Sequence, residues 1–362
     1  MGGNSSRHDL RNRMLERNFS KIEYQDLGLE TSMELSIISV NWNSVNYLRE
    51  CIASIYEHTR GITFEIVVVD NASPEGGVDV LKQQFPEIVL IKSSENLGFA
   101  GANNLGVRRS KGKCVLFLNP DTKLVNPAIN IMLQRLQSLP DAGIIGCRLL
   151  NGDLSVQTSS IMRFPGILNQ VLQSEYLRLR WPNFPLWGIG PLFSNNSAPA
   201  KVEIISGACM MIRREVFEKV GMFSEEYFMY AEDMDLCCKV TRAGFANYYV
   251  GGGEIVHFAG ASSPREWRLI MKTRAELRLC AKFRGRFYAL LFRIMLALNA
   301  VLRLFVVTVL LLFRRIVRGQ EVSNAASVKY RAILKALLTS SGNDHDPLAG
   351  RKSVSNCCLP LF

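Results

Sequence analysis

The sequence predicts an α/β fold in which helices cover both faces of a mostly parallel β-sheet. Short runs of apolar, largely β-branched residues recur between residues 35 and 122, and helical patterns separate them. The runs are mostly apolar, which is typical of parallel strands that are buried on both faces. Several runs also end abruptly in polar turn residues.

The elements follow in order. LSIISVNW (35–42) and FEIVVVDNAS (64–73) are predicted strands. Between them lies a helical pattern with one apolar face, formed by Leu48, Cys51, Ile52, Ile55 and Tyr56. GGVDVLKQQF is predicted to be helical, EIVLIKS to be a strand, and GFAGANNLGVRRS to be a helix entered through glycines. KCVLFLNPDT is the fourth predicted strand.

This alternation is lost over residues 150–200, where RWPNFPLWGIGPLF predicts a long loop or flap. Order returns with KVEIISGACMMIRREVFEKVG, a predicted strand, turn and helix. The stretch YAEDMD then places Glu232, Asp233 and Asp235 within four positions. Like charges so close repel each other unless something binds them or uses them.

Composition indicates a globular protein with an anionic partner. The 362 residues are 48% hydrophobic and 21% charged, and the net charge is +11. Such a charge suits nucleic acid, a lipid headgroup surface or a phosphorylated small molecule. The positive charge is concentrated in an apolar C-terminal segment, which disfavours a nucleic-acid binder. Nine cysteines without a CxxC pair indicate reduced thiols.

Polar residues follow three predicted strands where each ends: Asn41, then Asp70 and Asn71, then Asp121. Ligands bind beyond the carboxyl ends of parallel strands, so we expect a site at this edge. Each residue by itself could instead cap a helix or a turn. Asp70 can accept hydrogen bonds from a base or ribose, and Asp121, held in a turn by Pro120, can bind a hard divalent cation.

The segment NLGFAGANN places Gly98 and Gly101 at the start of a predicted helix. It does not match the dinucleotide pattern GxGxxG. The N–H groups at a helix N-terminus nevertheless suit a phosphate, so we expect phosphate binding there.

Seven segments in order resemble family 2 glycosyltransferases of the GT-A fold, notably the rhamnosyltransferase-like and galactofuranosyltransferase-like members. They are SIISVNWN, VVVDNAS, NLGFAGANN, FLNPDT, SGACMMIRR, YAEDMD and VHFAG, and the similarity as a whole covers about residues 34–285. The resemblance implies a Rossmann-like nucleotide-diphospho-sugar transferase fold. It also implies the nucleotide-binding residues Asn41, Asp70, Asn71, Gly98 and Asn103, and the acceptor-side residues Ser206 and Gly207.

The resemblance further implies a metal site and a base. Asp121 stands where the family has the last aspartate of its DxD motif, a ligand of Mg²⁺ or Mn²⁺, and His257 matches a histidine that completes the site. Asn119 replaces the first aspartate, so one expected charge is missing. Asp233 would be the general base. Glu232 would bind acceptor hydroxyls or tune the base.

Beside these, Asp235 would cap its helix or pair with Lys239 four residues on. The chemistry is consistent with this set of residues. A cation neutralises the nucleoside diphosphate as it leaves, and a base takes the proton of the attacking hydroxyl. Direct attack inverts the anomeric centre, and the sequence singles out no nucleophile for a covalent intermediate.

The segment YALLFRIMLALNAVLRLFVVTVLLLF (288–313) is apolar but interrupted. At 100° per residue its polar side chains share an arc of about 140°, a basic stripe formed by Arg286, Arg293, Asn299, Arg303 and Arg314. An arginine at the centre of a span would be costly. We therefore predict a helix lying in an anionic membrane surface, with a true span or a buried helix as alternatives.

The predicted organisation is a leader, a GT-A catalytic domain, membrane-associating amphipathic helices and a polar tail, at residues 1–33, 34–285, 286–318 and 319–362. The predicted protein is an inverting hexosyltransferase at the cytoplasmic face of the plasma membrane, peripheral or singly anchored. It would transfer a sugar, for example from dTDP-rhamnose, to a lipid-linked or polysaccharide acceptor. Self-association stays open.

Two alternatives remain. A nucleotidyltransferase would need a Gly-rich basic loop after the first strand, where NWNSVNY stands. A non-catalytic nucleotide-sugar-binding membrane protein is motivated by Asn119.

Overall fold

A nine-stranded β-sheet forms the centre of the protein. The structure is a computed structural model that describes residues 33–167, 169, 181, 198–258, 264–318 and 325–339, of which 314–318 and 325–326 are described by their backbone alone. The predicted leader, most of the predicted flap and the side chain of Arg314 lie outside the described residues.

The strand order begins with β3 (Val89–Lys92), β2 (Phe64–Asp70), β1 (Leu35–Asn41) and β4 (Cys114–Leu118). It continues with β10 (Cys209–Arg213), β6 (Ala142–Leu150), β11 (Ala246–His257) and β5 (Thr122–Leu124), and β8 (Ala200–Val202) also pairs with β11. The first four strands are mutually parallel, as predicted, and β10 is antiparallel to both of its neighbours. A separate pair joins β7 (Ile161–Met162) to β9 (Ile204–Ile205).

The helices cover the sheet on both sides. They are α1 (Val45–His58), α2 (Asp79–Gln84), α3 (Gly98–Arg108), α4 (Ala128–Ser138), α5 (Arg214–Lys219), α6 (Glu232–Arg242), α7 (Arg265–Arg284), α8 (Arg286–Arg318) and α9 (Ala325–Leu338). A 3₁₀ turn lies at Thr158–Ser160. On α1 the predicted apolar face is buried through Leu48, Cys51, Ile52 and Ile55.

Successive residues of the central strands face opposite sides of the sheet and enter two different cores. Ile37 and Val68 join one buried cluster together with residues of α1 and α4, whereas Ile38 and Val67 join a second with residues of α3 and α5. Because both faces are covered, most positions in these strands are apolar, although Ser36 and Ser39 of β1 are also buried. This burial explains the largely apolar runs.

The C-terminal helices form a third cluster, in which Cys280, Phe292, Leu296 and Leu337 are buried. The expectation that residues 319–362 form a polar tail is therefore wrong for 325–338. That segment is helix α9, and Ala332, Ala336 and Leu337 on one of its faces are buried. Small apolar residues among lysines and arginines concealed this face in the composition.

Helix α8 leaves a broad apolar face uncovered. Leu298, Val301 and Phe305 are 60%, 55% and 65% exposed. Residues 286–313 are long and apolar enough to cross a membrane by length and composition.

Three polar side chains of α8 lie on the side that faces α9, those of Arg293, Asn299 and Arg303. The Arg293 guanidinium donates to the carbonyl of Leu337. Arg303 Nε donates to Asn299 Oδ1 at 2.9 Å, and both line a groove together with Tyr330 of α9. The predicted stripe is thus partly occupied by protein contacts rather than free for headgroups.

Candidate active site

The ends of β1 and β2 hold one carboxylate in place. Asn41 Nδ2 donates to Asp70 Oδ1 at 2.7 Å, and Ser73 Oγ donates to the same oxygen at 2.6 Å. The other end of the Asn41 amide accepts from the N–H and hydroxyl of Ser44. Asn41 is fully buried and Asp70 is 7% exposed. Asn41 and Ser73 therefore fix the orientation of the Asp70 carboxylate.

The loop before α3 is tied to the end of β2 through Asn71. Its Nδ2 donates to Asn96 Oδ1 at 2.8 Å, and its Oδ1 accepts from the N–H of Leu97. Gly98 has φ +70°, and a Cβ there would lie 2.3 Å from the carbonyl oxygen of Phe228. Only glycine permits both this backbone conformation and this approach.

Two of the N–H groups at the start of this helix, where phosphate was predicted to bind, donate within the protein. The amide of Gly98 donates to Asn96 Oδ1, and the amide of Phe99 donates to the Phe228 carbonyl. These donors already have protein acceptors, so they are not available to a phosphate. Asn103 also uses its amide nitrogen locally, donating to the Phe99 carbonyl at 2.9 Å.

A carboxylate–imidazole pair lies at the ends of β4 and β11. Asp121 Oδ1 is 3.4 Å from Nε2 of His257. Strand pairing brings them together, since Thr122 at the start of β5 is the antiparallel partner of His257. The Thr122 hydroxyl also donates to the Asn119 carbonyl at 2.7 Å and closes the turn that carries Asp121.

These residues fit a divalent cation. Asn119 Nδ2 lies 3.4 Å from His257 Nε2, whereas the buried Asn119 Oδ1 is without a hydrogen-bond partner among the described residues. Carboxylate and amide oxygens with an imidazole suit Mg²⁺ or Mn²⁺, which often take their remaining ligands from phosphates and water. No cluster of three or more His, Cys, Asp or Glu occurs in the part of the chain described.

The acidic stretch opens helix α6. Tyr230 and Ala231, just before it, have φ of +70° and +66°, a conformation that non-glycine residues adopt only at some cost in energy. Asp233 Oδ2 accepts from the N–H of Gly207 at 2.9 Å, and its Oδ1 accepts from the N–H of Met234. A Cβ on Gly207 would lie 3.2 Å from that of Asp233, so glycine permits the approach.

Glu232 is buried, and the neighbouring Asp233 is half-buried. Burial, and then the neighbouring Asp233, raise the pKa of Glu232 well above its ordinary value. Its Oε2 is buried with no hydrogen-bond partner among the described residues. Burial also raises the pKa of Asp233, although the N–H groups of Gly207 and Met234 oppose this rise. A raised pKa makes a carboxylate a better proton acceptor near neutral pH.

Asp235 faces away from this pair. It is fully buried, and its carboxylate lies 2.6 Å from Lys282 Nζ on α7 and 3.4 Å from Lys239 Nζ. Ser224 Oγ donates to it at 2.6 Å. The predicted pairing with Lys239 is confirmed, and the contact with Lys282 adds a link between α6 and α7.

A short path of contacts joins Asp233 to the pair formed by Asp121 and His257. The N–H of Asn119 donates to the carbonyl of Ala208 at 3.0 Å, and the neighbouring Gly207 holds Asp233. Ser206 Oγ accepts from the N–H of Ala208 at the same turn. The acceptor-side turn therefore lies between Asp233 and the residues that surround His257.

The family model described as "Glycosyl transferase family 2" matches residues 36–221. This chain belongs to glycosyl transferase family 2. It is 26% identical over 243 residues to an N-acetylglucosaminyl-diphospho-decaprenol L-rhamnosyltransferase of Mycobacterium tuberculosis, covering 64% of this chain and 78% of the relative. It is 28% identical over 169 residues to the rhamnosyltransferase WbbL of Escherichia coli, covering 45% of this chain and 61% of WbbL. The predicted rhamnosyltransferase-like family is thereby confirmed.

Solved structures of glycosyltransferases share the fold. A mannosyltransferase of Pyrobaculum calidifontis, in complex with GDP-Man and Mn²⁺, has a TM-score of 0.51 at 16% identity, covering 90% of this chain and 92% of that one. GalNAc-T7 with UDP, GalNAc and Mn²⁺ also has a TM-score of 0.51, covering 69% of this chain and 48% of that one. The predicted GT-A fold is confirmed, and this member of family 2 is a glycosyltransferase related to rhamnosyltransferases.

One residue of this family 2 site escaped the sequence analysis. Gln157 Oε1 lies 2.8 Å from Nδ1 of His257. No local pattern marks Gln157, because it follows a polar turn in a region expected to form a flap. The contact depends on where β6 and β11 end in the sheet.

Proposed function

We propose that this protein is an inverting hexosyltransferase that moves rhamnose from dTDP-rhamnose to a hydroxyl of a lipid-linked glycan at the cytoplasmic face of the plasma membrane. The arrangement of Asp233 and the Asp121–His257 pair on two sides of one acceptor-side turn carries the proposal. The names of the mycobacterial and E. coli relatives support the choice of sugar, and the mycobacterial name also supports a lipid-linked acceptor.

Some of these residues act on the nucleotide-sugar donor, and Asp233 acts on the acceptor hydroxyl. Asp70 accepts hydrogen bonds from the nucleoside. Asp121, His257 and the Asn119 amide oxygen would hold Mg²⁺ or Mn²⁺, which when bound neutralises charge on the departing diphosphate. Asp233 takes the proton of the acceptor hydroxyl as that oxygen attacks.

Beside the base, burial raises the pKa of Glu232, and in its protonated form this residue would donate a hydrogen bond to an acceptor oxygen. The two N–H groups on Asp233 hold its carboxylate in one orientation while the hydroxyl attacks. Attack by the hydroxyl itself inverts the anomeric centre. Among the described residues we assign no side chain as a covalent nucleophile.

The exposed face of α8 supports attachment to the membrane surface. Its 33 residues extend about 50 Å, longer than the roughly 30 Å hydrocarbon layer. Its inner face packs on α7 and α9 through Phe292 and Leu296. A helix covered on one side and apolar on the other suits a position in the plane of the membrane, near an anionic surface that attracts a chain of net charge +11.

The test is a transfer assay with full-length protein, a panel of nucleotide sugars and an N-acetylglucosaminyl-diphospho-polyprenol acceptor. We expect dTDP-rhamnose to react with divalent-cation dependence, and NMR of the product to show the inverted anomeric configuration. A retained configuration contradicts the direct mechanism. Binding of nucleotide sugars without transfer, unchanged in Asp233→Asn, would favour the non-catalytic alternative.

A further inference from the structure

We propose that Gln157 is a positioning residue that determines which ring nitrogen of His257 carries the proton. It holds that proton on Nδ1 and so leaves the Nε2 lone pair facing Asp121. The proposal rests on the divalent-cation site of the proposed function. Gln157 follows β6 and is 9% exposed, so its amide groups are largely shielded from water.

The contacts of Gln157 fix the orientation of its amide. Nε2 donates to the backbone carbonyl of His257 at 3.3 Å and to Asn151 Oδ1 at 3.1 Å. A backbone carbonyl only accepts, so the amide nitrogen must face this side. The amide oxygen then faces His257 Nδ1 at 2.8 Å. An amide oxygen cannot donate, so the proton of this bond is on Nδ1.

Asn151 is oriented in turn by a carboxylate. Its Nδ2 donates to Ser155 Oγ at 2.9 Å, and Ser155 Oγ donates to Asp153 Oδ1 at 2.6 Å. The hydroxyl has a single proton, so Asn151 must donate to it and accept from Gln157 with its oxygen. Hydrogen bonds from the hydroxyl and the N–H of Ser155 lower the pKa of Asp153, which keeps this carboxylate an acceptor.

Backbone hydrogen bonds hold Gln157 and Asn151 beside the end of β11. The N–H of Gln157 donates to the Leu149 carbonyl at 2.8 Å, and the N–H of Asn151 donates to the Ser155 carbonyl at 2.8 Å. Leu150 is the partner of Val256 in the pairing of β6 with β11. The residue after Val256 is His257, so the register of this pairing places its ring next to Gln157.

The proposed tautomer determines what Nε2 of His257 can bind. A neutral imidazole with its proton on Nδ1 has a lone pair on Nε2, the atom 3.4 Å from Asp121 Oδ1. With the other tautomer an N–H would point at that carboxylate and occupy the position a cation needs. Removing such a partner from a metal-binding histidine typically weakens metal affinity about 10- to 100-fold.

Nitrogen-15 NMR of the imidazole rings in full-length, metal-free protein tests the proposal, at a pH where the rings are neutral. The chain has four histidines, and the His257 signals are those lost in His257→Ala. We expect the Nδ1–H form in the wild type and in Gln157→Glu, which keeps an acceptor oxygen. We expect a mixture of tautomers in the near-isosteric Gln157→Met, with Mn²⁺ binding weakened about 10- to 100-fold.

Several results would overturn the assignment. An Nε2–H form in the wild type does so without any variant. A folded Gln157→Met protein in which the tautomer of His257 is unchanged would also overturn the assignment. A changed tautomer with unchanged Mn²⁺ affinity would overturn it as well. Failure of the wild type to bind Mn²⁺, with Nδ1–H intact, would instead contradict the metal site of the proposed function and support the tautomer role.

Discussion

Nε2 of His257 lies 3.4 Å from Oδ1 of Asp121, and the three-residue strand β5 is what brings them together. Thr122, directly after Asp121, pairs with His257 in the antiparallel ladder with β11. The amide of Phe258 then donates to the Asp121 carbonyl at 2.9 Å. The pair is therefore built by the sheet itself, and its distance does not depend on a flexible loop.

We expect Asp233→Asn to reduce kcat by about 10²- to 10⁴-fold, because the amide cannot take the proton of the acceptor hydroxyl. The donor site does not include this side chain, so nucleotide-sugar affinity should change little. Steady-state kinetics and calorimetric titration of the donor measure the two quantities. Loss of donor affinity with unchanged kcat would place Asp233 on the donor side.

Asp235→Asn, two residues further along α6, should act on stability instead. Its buried carboxylate contacts Lys282 and Lys239. Removing one charge from such a buried cluster lowers the free energy of unfolding by about 3 kcal/mol. Urea denaturation of Asp233→Asn and Asp235→Asn, as a matched pair, measures the difference. Equal stability of the two variants would contradict the structural role of Asp235.

Glu232→Gln should stabilise the protein near neutral pH. The pKa of Glu232 is raised in the folded state above its ordinary value of 4.5. Above pH 4.5 the folded state therefore binds more protons than the unfolded state, and this group's contribution to stability is lost as pH rises toward the folded pKa. The glutamine variant does not titrate and escapes this loss.

Denaturant unfolding of wild type and Glu232→Gln at several pH values tests the sign of the difference in their stability. The advantage of the variant should grow as pH rises above 4.5 and disappear below it. Glu57→Gln, at an exposed glutamate of α1, is the control. A variant less stable than the wild type at pH 7 would show that Glu232 is ionised and favourably paired.

Gly207→Ala should lower kcat about tenfold through displacement of the base. The added Cβ would lie 3.2 Å from the Cβ of Asp233, so that side chain must shift slightly, and small misplacements of catalytic groups reduce rates strongly. Gly253→Ala is the matched control, since its Cβ would also lie 3.2 Å from a side-chain Cβ, that of Cys147. Similar kcat losses in both variants, in proportion to stability, would argue against the positioning of Asp233 by Gly207.

Leu298→Glu combined with Phe305→Glu should release the protein from vesicles that contain anionic phospholipid. Both side chains are more than half exposed on α8, and each added carboxylate opposes burial in acyl chains and attraction to anionic lipid. Flotation of wild type and variant measures binding. Val80→Glu, on α2, is the control. Flotation of the double variant at wild-type levels would show that this face of α8 is not the membrane contact.

The parallel half of the sheet was predictable because it depends on local patterns. The runs around Ile38 and Val67 are mostly apolar, and this signal is strong in any strand buried on both faces. The polar ends of the same strands indicated where Asp70 and Asp121 would lie. Strands β6 and β11 were not recognised in the sequence, and the contact between Gln157 and His257 is set by their pairing.

By itself, the sequence determined the fold class, the edge of the sheet that carries the polar residues, and the family. Each follows from residue types in short segments. Tertiary structure alone decided that Asn41 donates a hydrogen bond to Asp70, that the amides of Gly98 and Phe99 are already paired, and that α9 contacts Arg293 on the polar side of α8. These outcomes depend on hydrogen-bond direction and on contacts between segments distant in the chain, and no local pattern encodes either.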